Sequence, residues 1–231
     1  MDLHHVAGRD LTPQERQAHV QQIRQATAAA QRQREAVQTE AAARADALWM
    51  AARPADRNHP YLARKRIAAG PARQSCDLLV LRIENTQGET RSLQFIGADG
   101  GKRLLSGGAK RGSFIIVAGA LPADLIVIAE GFATAMTAAS QFPGAAVLAA
   151  IDAGNLQPVA VAIRGLCSVA KIIVVADDDR LVEGNPGLTK ARAAAAAVHA
   201  TLVRPAWPIS APESLTDIND LAAFMQQEAA A

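Results

Sequence analysis

The sequence predicts an α/β protein in which helices flank a parallel sheet, preceded by a small antiparallel β subdomain and an N-terminal helical segment. Short Ile- and Val-rich runs alternate with helical patterns from Leu125 onwards, which is typical of βαβ units. Residues 77–117 alternate apolar and polar side chains with period two, which indicates antiparallel strands. The stretch Pro13–Met50 is rich in Ala, Gln and Arg and lacks Gly, which favours helix. We therefore expect three parts, at residues 1–70, 71–120 and 121–231.

Local signals place the helices of the first part. Thr12, Pro13 and Glu15 form a capping pattern, and the helix or pair of helices that they begin ends before Pro54. Its apolar stripe is thin, so it packs weakly or covers a neighbour. A second short, basic helix is predicted at 58–67.

Strands and turns follow in a regular order. The segment 112–119 (GSFIIVAG) is predicted as the last strand of the antiparallel subdomain, after turns at Gln87-Gly88 and Asp99-Gly100-Gly101. The parallel strands are predicted at 125–129, 145–150, 171–176 and 201–204. The helices between and after them are predicted at 131–141, 155–165, 187–198 and within 214–228. Right-handed crossovers then place the carboxyl ends of these strands at one edge of the sheet.

Four carboxylates directly follow two of these strands. Glu130 ends the first, and Asp177, Asp178 and Asp179 end the third. Open α/β sheets bind ligands at this edge, and acids gathered there repel each other unless a divalent cation joins them. Asp177 and Asp179 alternate in register, so both can face one side while Asp178 faces the other. The pattern predicts a Mg²⁺ (or Mn²⁺) site, and a solvated acidic loop is the alternative.

Charge and composition limit the class of protein. Residues 1–115 carry 18 basic and 11 acidic side chains, a net charge of +7, whereas residues 116–231 carry 6 and 11, a net charge of −5. A basic part beside an acidic part suits a protein that grips a polyanion and holds cations. Cys76 and Cys167 are far apart and the histidines are scattered, which argues against zinc. No signal peptide and no run of about 20 apolar residues is present, so we expect no membrane association and a cytoplasmic location.

Glu130-Gly131 and Asp177-Asp178-Asp179 stand about 47 residues apart, each after an Ile/Val strand. This pattern resembles the Toprim domain, the metal-binding module of DnaG-type primases, type IA and II topoisomerases and several nucleases. Four short segments, EGFATAM, DAGNL, NPG and DIND, are similar to segments of primase-type Toprim proteins of plasmids, phages and integrative elements. Two basic segments, Lys102–Ser106 and Lys110–Gly112, stand where DnaG-type primases carry theirs. The resemblance covers roughly residues 58–222.

The resemblance implies a DNA primase, a nucleotidyltransferase that makes short RNA primers on single-stranded DNA. Glu130, Asp177 and Asp179 would hold Mg²⁺, and Glu130 can alternatively act as the general base toward a primer 3′-hydroxyl or merely complement a helix dipole. The implied partners are a single-stranded DNA template and NTPs. DnaG-type primases usually carry an N-terminal Cys/His zinc domain, and this sequence shows none. We therefore also expect a replicative helicase or a separate zinc-binding protein as partner.

Further side chains are candidates with two interpretations each. Basic residues expected to bind template or nucleotide are Lys102, Arg103, Lys110, Arg111, Arg82, Arg91 and Lys190, although solvated strand edges also carry such charges. Secondary candidates near the acidic edge are Asp152, Asn155, Asp178, Asp217 and Asp220, whose alternatives are turns and helix caps. Because only 3% of residues are aromatic, template binding is expected to be mostly electrostatic.

Two other functions remain open at the level of sequence. The same acids could activate water in a metal-dependent Toprim nuclease. A mobile element could instead keep the fold as a non-catalytic module that binds nucleic acid or a replisome partner. A topoisomerase is not favoured, because Tyr61 is the single tyrosine.

Overall fold

The computed structural model describes residues 13–230, and the predicted cap at Thr12 lies outside them. The helices are α1 Pro13–Ala51, α2 Pro60–Lys65, α3 Phe132–Gln141, α4 Leu156–Leu166, α5 Pro186–Ala197 and α6 Ile218–Glu228. The strands are β1 Arg53–Pro54, β2 Arg73–Ser75, β3 Leu78–Glu84, β4 Thr90–Ile96, β5 Lys102–Leu104, β6 Ile115–Ala118, β7 Leu125–Ala129, β8 Ala146–Ala149, β9 Lys171–Val175 and β10 Thr201–Val203. The predicted α/β class is confirmed.

The first sheet is antiparallel in the order β1-β2-β3-β4-β5. Strands β1 and β2 are too short to leave a periodic signal, so the sequence shows neither. Helix α1 packs on this sheet only through its second half, where Ala41 and Ala45 are fully buried one helical turn apart. Ala45 lies in one apolar cluster with Val80 and Leu93, which explains how a thin apolar stripe suffices. The first half of α1 is exposed to solvent.

The second sheet has the order β10-β9-β7-β8-β6. Strands β10, β9, β7 and β8 are parallel, and β6 is an antiparallel edge strand beside β8. The prediction that assigned 112–119 to the antiparallel subdomain is therefore corrected, since β6 pairs with the parallel sheet. Period-two alternation identifies a strand but not the neighbour that accepts its hydrogen bonds.

Backbone hydrogen bonds and a shared apolar core join the two sheets. Glu84 at the end of β3 and Phe114 before β6 exchange two backbone hydrogen bonds, of 2.8 and 2.9 Å. Leu79 and Leu81 of β3 share a buried cluster with Val127 of β7 and Phe132 of α3. Helices α4 and α5 cover the other face of the second sheet. The positions of the two sheets are thus fixed relative to each other.

No helix within residues 13–230 is both long enough and apolar enough to cross a lipid bilayer.

Candidate functional site

The strand order brings the predicted acids to one edge of the second sheet. Strand β7 lies between β9 and β8 in parallel register, with Ala129 opposite both Val175 and Ala149. The chain segments that leave these three neighbouring strands carry Asp177, Glu130 and Asp152. Residues more than 40 positions apart in sequence are therefore neighbours, as the carboxyl ends of parallel strands require.

The acids at this edge strongly influence one another. Burial, followed by the charges of Glu130, Asp217 and Asp179, raises the pKa of Asp177 to about 8, and the Lys102 ammonium opposes this shift. Burial and then the charge of Asp179 likewise raise the pKa of Glu130 above its ordinary value, and Lys102 again lowers it. Since both desolvation and like charge disfavour the ionised forms, this edge is poised to accept a positive charge.

One buried carboxylate oxygen supports the interpretation that this edge binds a cation. Asp177 Oδ1 is buried and has no hydrogen-bond partner within the described part of the chain. An unpaired buried polar atom costs about 1–3 kcal/mol, and a ligand such as a cation would remove that cost. Among residues 13–230, no group of three or more His, Cys, Asp or Glu side chains is arranged to hold a metal ion unaided. An unpartnered carboxylate oxygen among like charges suits a hard cation such as Mg²⁺, which commonly takes one or two carboxylates and completes its octahedron with waters and substrate phosphates.

Asp178 is bound differently from the acids on either side of it. Its side chain is only 4% exposed, and its two oxygens accept hydrogen bonds from Asn185 Nδ2 (2.6 Å) and Trp207 Nε1 (2.9 Å). Arg180 lies 4.5 Å from the Trp207 ring and donates a hydrogen bond to the Pro212 carbonyl (2.6 Å). Asp178 thus anchors the acidic loop to the segment after β10. Trp207 is one of two tryptophans in the chain, and no local pattern marks it as a partner of the acidic loop.

The N-terminus of α5 orients Asp179. The Gly187 N–H donates to Asp179 Oδ2 (2.9 Å), and the Asp179 N–H donates to Asn185 Oδ1 (2.9 Å). Asn185 has a left-handed backbone (φ 42°), which Asn tolerates better than most residues. The NPG segment therefore holds one acid in place through backbone contacts.

Replacing Gly187 by Ala tests this arrangement. A Cβ at position 187 would lie 2.8 Å from Asp179 Oδ2 and 3.0 Å from the Asp177 carbonyl oxygen, so the acidic loop would have to move. We expect Gly187→Ala to lower the free energy of unfolding by about 1–3 kcal/mol, the usual cost of overpacking. Gly165→Ala in α4, where nothing lies within 4 Å of the new atom, should instead be neutral or slightly stabilising. Urea unfolding of both variants measures the difference, and equal effects would contradict the packing argument.

Asp217 joins the acidic edge from the C-terminal segment. It caps α6 by accepting the Asp220 N–H (2.8 Å), and its second oxygen accepts the Thr134 O–H (3.0 Å). It is buried, and its charge contributes to the raised pKa of Asp177. Asp220 faces α2, where it pairs with Lys65 (2.9 Å). The two acids of DIND thus have different environments, and only Asp217 adds to the cluster.

A cleft of about 350 Å³ between the two sheets connects the basic and acidic groups. Lys102 and Arg103 of β5 line one side, and Glu130 and Asp152 line the other. The Lys102 ammonium lies 3.5 Å from the point where a Cβ on Gly131 would stand. A Cβ at position 131 would therefore make an ordinary van der Waals contact with this ammonium, which lies beside the residue that follows Glu130.

Asn155 fixes the second basic segment to the sheet. Its Oδ1 accepts the Gly112 N–H (2.9 Å). Its Nδ2 donates to the carbonyls of Lys110 (3.1 Å), Ser113 (2.9 Å) and Ala150 (2.9 Å). Lys110 also forms an ion pair with Asp152. Asn155, which the sequence indicates only as a secondary site candidate or a helix cap, is thus a buried residue that holds the 110–113 loop in position.

The remaining basic candidates lie at three separate places. Arg82 donates to the Gly88 carbonyl and pairs with Glu84 (3.4 Å), so the β3–β4 hairpin holds it. Arg91 lines a second cleft together with Lys110 and Arg111. Lys190 is exposed on α5. The structure therefore brings Lys102 and Arg103 to the acids, and Lys110 and Arg111 to the adjoining surface.

A parallel sheet with acids after β7 and β9 is the arrangement expected of a Toprim domain, and residues 125–228 match the Toprim domain family. Two sequences of DNA primase TraC from Escherichia coli are similar, at 39% identity over 135 residues and 38% over 147 residues. These alignments cover 55% and 61% of this chain, which spans only 12% and 10% of the relatives' length. The primase fragment of the bacteriophage T7 primase-helicase protein shares the fold, with a TM-score of 0.51, 13% identity and coverage of 72% of this chain and 70% of that one. The predicted resemblance is confirmed for the domain: residues 125–228 match the Toprim domain family, and the chain is similar to DNA primase TraC.

Proposed function

We propose that this chain is the catalytic part of a DNA primase that joins ribonucleotides into short RNA primers on single-stranded DNA. The observation that carries the proposal is the unpartnered Asp177 oxygen at an acidic edge that faces Lys102 across a cleft. Acids that lack a counter-charge, next to cations that can hold a triphosphate, are the parts that phosphoryl transfer requires. The similarity to DNA primase TraC supports the same function.

Glu130, Asp177 and Asp179 would hold Mg²⁺ or Mn²⁺, which supplies charge neutralisation on the triphosphate when bound. Lys102 and Arg103 would bind phosphate oxygens, Lys as a point charge and Arg as a bidentate fork. The raised pKa of Glu130 suits its alternative role, in which it does not bind the metal and accepts the proton of the primer 3′-hydroxyl as a general base. The 3′-oxygen then forms a bond to the α-phosphorus of the incoming nucleotide while the bond to pyrophosphate breaks.

The proposed partners follow from this chemistry. They are a single-stranded DNA template, NTPs, and a replicative helicase or separate zinc-binding protein. We also propose a cytoplasmic location, where a DNA template and NTPs would be available.

Incorporation of radiolabelled NTPs on a single-stranded DNA template tests the proposal. We expect short labelled products with Mg²⁺ and none after EDTA is added. A 5′-labelled DNA strand in the same reaction reports cleavage. Metal-dependent cleavage without NTPs would replace the proposal with a nuclease. DNA binding that EDTA does not change, without synthesis or cleavage, would indicate a non-catalytic module.

A further inference from the structure

A second cleft, of about 450 Å³, lies between helix α1 and the loop before β6. Gln31, Arg34 and Gln38 of α1 form one wall, and Arg91, Lys110 and Arg111 line the other. Among the described residues that line this cleft there is no carboxylate and no aromatic ring. The cleft is therefore strongly cationic and offers no surface on which bases could stack.

Helix α1 presents these side chains in a fixed position. Residues 31, 34 and 38 follow helical spacing and share one face. Just beyond them, α1 is attached to the first sheet: Arg44 donates to the Ser106 carbonyl (2.8 Å), and a Cβ on Gly107 would lie 3.0 Å from Val37. Because the helix is anchored at this point, the wall that carries Arg34 is held against the opposite one.

The cleft is connected to the acidic edge through two contacts. Asn155 holds the loop that carries Lys110 and Arg111, as described above. Lys110 pairs with Asp152, which lines the neighbouring cleft together with Glu130. The second cleft and the cleft at the acidic edge therefore adjoin at the Lys110–Asp152 ion pair.

We propose that this cleft binds the sugar-phosphate backbone of single-stranded DNA, and that Arg34 of α1 is one of its phosphate contacts. The three arginines of the cleft attract phosphates, whereas Lys110 is already paired with Asp152. Gln31 donates one amide hydrogen to Glu35, which leaves its other hydrogen and the Gln38 amide for phosphate or sugar oxygens. Arg34 is exposed, and no partner for its guanidinium is found among residues 13–230. The long helix α1 would thus contribute to the binding of single-stranded DNA, which its amino-acid composition alone does not reveal. The role of this cleft in delivering template rests on the proposed primase function, whereas the binding itself does not.

Fluorescence anisotropy of a labelled oligo-dT strand, without Mg²⁺ or NTPs, tests the proposal. We expect Arg34→Ala to weaken binding by about threefold to tenfold and to reduce the slope of log affinity against log salt by about 0.7, the value for one lost phosphate contact on a single strand. Arg32→Ala removes the same charge from the same helix two residues away, outside the cleft lining. We expect this control to change affinity less than twofold and to leave the slope unchanged.

Equal weakening by both variants would reduce the effect to net charge and overturn the proposal, as would unchanged binding in Arg34→Ala. Circular dichroism establishes that both variants fold, since neither side chain is buried. If the wild-type protein makes no primers but Arg34→Ala still loses affinity, the primase proposal fails and the binding proposal stands.

Discussion

Asp177→Asn should abolish Mg²⁺-dependent primer synthesis, with a loss of about a hundredfold or more, the range seen when one electrostatic group of an active site is removed. The amide keeps the shape of the side chain but removes the negative charge that would attract the cation. The measurement is radiolabelled NTP incorporation at saturating Mg²⁺. Asp124→Asn makes the same chemical change at an exposed position just before β7, at the opposite end of the strand, and should leave synthesis unchanged.

The same substitution should make the metal-free protein more stable. Asp177 is held among Glu130, Asp179 and Asp217 with a pKa of about 8, so its ionised form costs folding free energy. Asp177→Asn removes that repulsion, and we expect the melting temperature in EDTA at pH 8 to rise by several degrees. A loss of activity together with a loss of stability would show that Asp177 supports the fold rather than a cation site.

The sign of the pH dependence follows from the same shift. The pKa of Asp177 is higher in the folded protein than its ordinary value of 3.8, so the folded form binds the proton more tightly. Stability of the metal-free protein is therefore lost as pH rises from about 4 to about 8, and the full penalty is present above that range. Mg²⁺ competes with this proton, so its stabilising effect should be larger at pH 8 than at pH 6. Thermal unfolding with and without Mg²⁺ at pH 6 and at pH 8 measures this stabilising effect. Asp177→Asn should make the stability of the metal-free protein depend less on pH.

Asn155→Ala should cause the largest loss of stability, about 3 kcal/mol or more. The Asn155 side chain is 2% exposed; its Oδ1 accepts the Gly112 N–H, and the two hydrogens of its Nδ2 are shared among three backbone carbonyls. Its removal leaves these groups without that partner, although the Lys110 carbonyl still accepts the Ser113 N–H. Each unsatisfied buried group costs about 1–3 kcal/mol, and water that enters the space recovers part of this. Urea unfolding measures the change. Asn58→Ala, at an exposed position before α2, should stay within about 0.5 kcal/mol.

The oligo-dT affinity of the Asn155→Ala variant shows whether Asn155 positions the 110–113 loop or only stabilises the fold. Below its melting temperature, the variant should bind oligo-dT more weakly, because Lys110 and Arg111 lose the contact that positions their loop. The Gly187→Ala variant, destabilised at the other end of the acidic edge, should not lose oligo-dT affinity. If both variants lose affinity to the same degree, the loop is not specifically positioned by Asn155.

Several elements were predictable from local pattern. The Ile/Val runs that became β7 and β9 fix Glu130 and Asp177 as the residues that follow strand ends, because burial on both faces leaves a continuous apolar run. The capping propensity of Asp217 is likewise local. The placement of β6 was not predictable, because its hydrogen bonds to β8 join residues about 30 positions apart.

The amino-acid sequence by itself determined the class of fold, the resemblance to the Toprim domain and the acids at the sheet edge, since strand periodicity and side-chain chemistry are properties of short segments. Only the tertiary structure decided that Asp217 adds its charge to Asp177, that Asn155 clamps the 110–113 loop, and that α1 lines a cationic cleft. These relations depend on distances between segments far apart in the chain. Such distances are set by how helices and sheets pack, which a local pattern does not contain.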